Sequence, residues 1–174
     1  MRLKLKQRRE LMTNITNKIN HIELIHTEDN NQLNLIQRDY DIALRDLTQD
    51  SYFQPQKDDQ GPYNVKLLIE DNRLVFQIKN NQNTELPYLV LSLKPYRRLI
   101  KDYFLIVGSY DQAIKEGNPS RIEAIDMGRR GLHNEGAELL LERLESKIKM
   151  NLETARRLFT LICVLHTNKV HILR

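Results

Sequence analysis

Residues 126–136, Asp-Met-Gly-Arg-Arg-Gly-Leu-His-Asn-Glu-Gly, are the stretch of this 174-residue chain densest in side chains able to do chemistry. Two guanidiniums, Arg129 and Arg130, can grip a phosphate or carboxylate bidentately. His133, oriented by Asp126 or Glu135, has the chemistry of a general acid or base. At about 100° per residue, Ile122, Ile125, Leu132, Gly136, Leu139 and Leu140 share one helical face. Arg129 falls in the middle of that face and His133 at its edge, with Asp126 and Arg130 beside it at i, i+4 spacing. A charge on an apolar stripe must be paired. Two arrangements satisfy that demand: a structural ion pair from Arg129 to Asp102 or another carboxylate, or an anion site where Arg129, Arg130 and His133 converge.

Gly128, Gly131 and Gly136 each cost a helix about 1 kcal/mol relative to alanine. Close packing on a neighbouring helix, such as the tyrosine-bearing one, explains them. So does a break in which Asn134 caps a new, anion-binding helix; a continuous helix is the expectation. Tyr96, Tyr103 and Tyr110, seven residues apart, read as core. Arg97 and Arg98, with Lys101, form a weak candidate basic patch and otherwise a solvated helix face, as do Arg156 and Arg157. No metal site is expected: His133 and Glu135 diverge on a helix, and His21, His26, His166 and His171 lack ligand spacing. Phosphate-loop, dinucleotide, nucleophile-elbow and zinc motifs are absent from the sequence, so no cofactor is expected. Cys163, among apolar neighbours, reads as inert.

The elements that must position these residues follow from periodicity. Residues 18–25 read as a short strand with Ile22 and Leu24 on one face. Thr27, Glu28, Asp29 and Asn30 can cap a helix with Leu33, Ile36, Tyr40, Leu44 and Leu47 on one stripe, ending near Ser51. A polar loop runs through Pro55, Asp58, Asp59, Gly61 and Pro62. From Tyr63 the period becomes two, giving strands around Val65–Ile69 and Leu74–Ile78 joined by a turn at residues 70–73. A third run, Tyr88 to Leu93, is apolar on both parities and suggests a central or doubly covered strand. Pro95 suits a first helical position. The helix after it carries Tyr96, Leu99, Ile100, Tyr103, Val107, Tyr110 and Ile114 on one stripe, and Phe104 to Ile106 predict burial on more than one side. Gly117 reads as a C-cap, Ser120 with Glu123 as a capping box, and a helical segment extends to about Lys149. Asn151 can cap a final helix whose run Leu158 to Leu165 belongs to the core. The prediction is an α+β fold, a small antiparallel sheet (a three-strand meander plus an N-terminal strand) packed by about four helices.

Composition bounds the class. An apolar fraction of 40% and a charged fraction of 29% are those of a globular domain, and no run approaches the roughly 18 apolar residues of a membrane span. One cysteine and no secretory signal point to the cytoplasm. Of the net charge of +4, the leader 1–11 accounts for all, through Arg2, Lys4, Lys6, Arg8 and Arg9 against Glu10. Residues 12–93 carry −5 and residues 94–174 carry +5. That asymmetry fits attraction between halves, a homodimer or a protein partner, ahead of nucleic acid. The leader is expected to be a disordered tail or an upstream start, with Met12 as the alternative start and 12–174 as a single domain.

The strings GPYNVKLLIEDNRLVFQI, LSLKPYRRLIKDYF, IEAIDMGRRGLHNEGAELLLERL and ARRLFTLICVLH occur in order. In them the chain resembles an alphaproteobacterial family of uncharacterised proteins, over roughly residues 18–166. The leader before Met12 and the tail from Thr167 look additional to it. The resemblance implies a bacterial cytoplasmic protein and carries over no catalytic residue, cofactor or partner. The residues themselves favour a non-catalytic binding or interaction module with an anion-accepting site near Arg129, Arg130 and His133. The alternatives are an enzyme acting on a phosphorylated or carboxylated small molecule with His133 as acid or base, and RNA association through the basic leader.

Overall fold

The period-two pattern from Tyr63 onward becomes the centre of a four-stranded sheet in the computed structural model, which describes residues 2–25 and 34–166. In β3 (Tyr63–Glu70), Tyr63, Val65 and Leu67 are buried while Asn64 and Lys66 face solvent. Strand β4 (Arg73–Lys79) pairs with it antiparallel, Leu67 opposite Phe76 and Ile69 opposite Leu74. The turn between them holds Asp71 and Asn72 at φ 49° and 59°, the left-handed pair of a two-residue hairpin that short polar side chains tolerate best.

Strand β1 (Ile19–Leu24) joins the other edge of β3 in parallel, so the sheet is mixed, in the order β1-β3-β4-β5. A parallel neighbour requires a crossover, and α2 (Asn34–Gln49) lies in that connection. The capping residues 27–30 and Leu33 lie outside the described residues. Among the described residues β5 (Leu89–Ser92) pairs only with β4 and lies at the edge of the sheet, with Tyr88 and Val90 exposed. Its apolar run therefore does not mark a central strand. The polar loop after α2 contains β2 (Phe53–Pro55), paired antiparallel with β6 (Ile148–Met150). Three residues are too few to show a period.

Lys94–Tyr96 form a 3₁₀ turn that places Pro95 at the start of α3 (Arg97–Glu116). Leu99, Ile100, Tyr103 and Val107 of α3 are buried, but Leu105 and Ile114 are exposed, so the helix buries one stripe only. Gly117 ends it at φ 64°, the left-handed cap glycine adopts without strain. The next helix, α4 (Pro119–Leu144), is continuous through all three glycines. It is capped by Asn118, whose side chain accepts from the Arg121 amide at 3.2 Å, rather than by Ser120 with Glu123. Pro119 sits well at the first helical position because it has no amide to satisfy. The helix stops at Leu144, short of Lys149, which lies within β6. Asn151 caps α5 (Leu152–Leu165), which is buried continuously from Leu158. Residues 2–16, including the leader read as a disordered tail, form helix α1 (Arg2–Thr16), with Leu3, Leu5, Leu11 and Met12 exposed.

Helix α5 packs against both α2 and α4, and α2 packs against β1. Close approach of α4 and α5 falls at Gly136. A Cβ there would lie 2.5 Å from ring carbons of Phe159, so the packing partner is α5 and not the tyrosine-bearing α3. Gly128 and Gly131 face open space. The three glycines therefore separate by mutation. Gly136→Ala should destabilise by about 1–3 kcal/mol through overpacking. Gly128→Ala and Gly131→Ala should each stabilise by up to about 1 kcal/mol. Urea unfolding of the three variants checks both signs.

Candidate functional site

Arg129 points inward from α4 as its position on the apolar face predicts, and its partner is a residue the sequence reading did not single out. The guanidinium ion-pairs with Asp39 of α2, whose side chain is 1% exposed. Asp102, the carboxylate expected there, instead pairs with Arg98 at 3.2 Å on its own helix. Asp39 also accepts a hydrogen bond from the Tyr103 hydroxyl at 2.9 Å. Three helices thus converge on one carboxylate: α2 supplies it, α3 gives a hydroxyl and α4 a cation. Burial pushes the Asp39 pKa up, opposed by Arg129 and by Tyr103. The signal for Asp39 was present in the sequence, since it lies three residues after Ile36 and four before Ala43, on the buried stripe of α2.

The other sequence candidates separate. Arg129 is 26% exposed and its Nη1 lies 3.6 Å from Asp126, while Arg130, 78% exposed, reaches the other oxygen of Asp126 at 3.2 Å. His133 turns away from both. It is 6% exposed, between Tyr103 and Phe159 in edge-on contacts at 5.8 and 5.7 Å. Its Nδ1–H donates to the Arg129 carbonyl at 2.8 Å. The imidazole Nε2 and the Arg129 Nε are buried without a hydrogen-bond partner among the described residues. Burial drives the His133 pKa down to about 4. A group sealed in this way cannot reach a substrate proton, and neither Asp126 nor Glu135 orients it. Glu135 instead pairs with Arg98, tying α4 to α3, and Arg97 is exposed. Arg156 binds Asn134 at 2.6 Å, and Arg157 donates to the Asp46 and Asp50 carbonyls at the end of α2, a cationic cap that suits a helix C-terminus. Cys163 is fully buried, which raises its pKa. Among the described residues, no group of three His, Cys, Asp or Glu is placed to hold a metal ion.

An open cleft of about 560 Å³ lies above the Asp39–Arg129 pair. Leu35, Arg38 and Ile42 form its α2 wall, Ile122, Glu123 and Asp126 its α4 wall, and Tyr110 lies at the end of α3. Its size is that of small-molecule sites, about 300–1,000 Å³. The groove on the outer sheet face, between His21, Lys66, Lys79 and Tyr88, measures about 120 Å³ and falls below that range.

Two outcomes follow from the buried polar groups. Arg129→Met removes the cation that holds the buried Asp39 carboxylate, and should cost about 3–5 kcal/mol in urea unfolding. Replacing both members, Asp39→Leu with Arg129→Met, should recover most of that loss. For His133, the folded pKa of about 4 lies below the ordinary 6.5, so the unfolded chain binds the proton first on acidification. Stability attributable to this residue is intact above about pH 6.5, falls as pH drops toward 4, and is then lower by about 3 kcal/mol. In His133→Phe, which also removes the unsatisfied Nε2, that slope between pH 6.5 and 4 should disappear from the wild-type-minus-variant difference.

Comparison with known proteins places this geometry in a family. The model of the family described as "Uncharacterised protein family (UPF0262)" matches residues 16–168, which leaves most of α1 outside the match. A UPF0262 protein of Paramagnetospirillum magneticum is 48% identical over 149 residues, covering 86% of this chain and 95% of the relative. A UPF0262 protein of Caulobacter vibrioides is 54% identical over 125 residues, 72% of this chain and 77% of the relative. One of Rhizobium meliloti is 51% identical over 125 residues, 72% and 79% of the two chains. No solved structure matches the chain. No described helix is long and apolar enough to cross a membrane. With the family match spanning most of its length, this chain belongs to the uncharacterised protein family UPF0262.

Proposed function

We propose that this protein is a non-catalytic binding module whose α2–α4 cleft takes a small molecule carrying a carboxylate or phosphate. The observation that carries this reading is the placement of Arg129. Its Nη2 side is anchored by the buried Asp39, and the side chain still contributes to the cleft wall. A guanidinium fixed by one carboxylate keeps further donors for a second. Arg38, on the α2 wall beside Asp39, adds a guanidinium with no ion-pair partner among the described residues. Leu35, Ile42 and Ile122 offer an apolar lining for the body of the ligand. The anion site expected from Arg129, Arg130 and His133 is thereby redrawn as Arg129 with Arg38, because Arg38 lines the cleft and Arg130 does not, and His133 is buried in the core. A cytoplasmic location and a single domain over 12–174 fit this reading, with the lone Cys163 buried as a thiol.

Titration with inorganic phosphate and with hexanoate, followed by the arginine Nε–H resonances in ¹⁵N NMR, tests it. Saturable shifts at Arg38 and Arg129 are expected with at least one probe. Arg38→Ala should weaken binding about tenfold, the loss of one charge-assisted contact, without moving the melting midpoint by more than about 2 °C. No saturable shift with either probe would overturn the reading.

A further inference from the structure

The charges around the cleft fall into two groups. Asp39, Arg129, Asp126 and Arg130 form one connected chain of ion pairs, two anions against two cations, with no net charge. Two charged lining residues are left over, Arg38 on α2 and Glu123 on α4, and neither has an ion-pair or hydrogen-bond partner among the described residues. They stand on the α2 and α4 walls, which also carry the apolar side chains of Leu35, Ile42 and Ile122. A ligand with an anion alone would answer the first wall and leave Glu123 facing it.

We infer that the cleft is built for a small zwitterion, its acid group toward Arg38 and Arg129 and its amino group toward Glu123, with an apolar spacer between. This rests on the cleft being the binding site proposed above. Asp126 is a poorer partner for the amino group because Arg129 and Arg130 both engage it. An ammonium at Glu123 meets an exposed carboxylate with free lone pairs, a charge pair of the modest strength found at protein surfaces. Each end fixes the other, so a molecule carrying both charges is selected over one carrying either.

The test uses the ω-amino acids from 4-aminobutanoate to 8-aminooctanoate, each beside the alkanoate of equal length that lacks the amine. Binding is read by calorimetry and by the arginine resonances of the full chain. At the best-fitting length the amino acid should bind at least about threefold more tightly than its alkanoate. Glu123→Gln should abolish that advantage without weakening alkanoate binding. If amine and non-amine bind alike at every length, or if the advantage survives Glu123→Gln, the zwitterion inference falls and the anion site stands. If no acid of either series binds, the zwitterion inference falls, and the anion site falls with it if inorganic phosphate also leaves the arginine resonances unmoved.

Discussion

A carboxylate enclosed among helices is tolerated only when its charge and its lone pairs are met on the spot. At Asp39 this condition organises the helical layer. Tyr103 must present its hydroxyl and Arg129 its guanidinium to the same two oxygens, which fixes the relative rotation of α2, α3 and α4. Apolar packing alone is satisfied by many rotations of a helix about its axis, whereas two groups from different helices directed at one carboxylate admit few. The helices α2 and α4 meet across the cleft through this pair, so the interaction that ties them together also forms the bottom of the recess between them.

The same pair explains why the candidate site is one-sided. Arg129 lies where α4 passes from an exposed N-terminal half to a buried C-terminal half: Met127, Gly128 and Arg130 are exposed, and Leu132, His133, Gly136 and Ala137 are buried. Toward the C-terminus, Gly136 lets α4 rest on Phe159, and His133 fills the space between Phe159 and Tyr103 as a neutral, mostly apolar ring. Toward the N-terminus the helix leaves α5 and faces α2 across the cleft. The polar groups of residues 126–136 therefore serve different surroundings: Asp126 and Arg130 the surface, Arg129 the boundary, and His133 the core.

Much of this organisation was legible in the sequence. The hairpin turn, the β3–β4 alternation, the Gly117 and Asn151 caps, the apolar run of α5 and the inward position of Arg129 all follow from local patterns. Local patterns also misled where two signals overlapped. Asn118 and Ser120 are both capping residues two positions apart, and proline at 119 decides in favour of Asn118. The apolar run at Tyr88 suggested a covered strand, yet among the described residues no strand lies beyond β5 in the sheet order.

From the sequence came the class of fold, the end of α3 at Gly117, the cap of α5 at Asn151 and the need for Arg129 to find a partner, because periodicity, turn chemistry and the cost of an unpaired charge act over a few residues. Only the tertiary structure decided that the partner is Asp39, 90 residues away, that β1 runs parallel to β3, that Gly136 rather than Gly128 or Gly131 marks the helix contact, and that His133 is enclosed. Each of these depends on which faces of distant elements meet. That choice is made by the sum of long-range packing, and no window of neighbouring residues contains it.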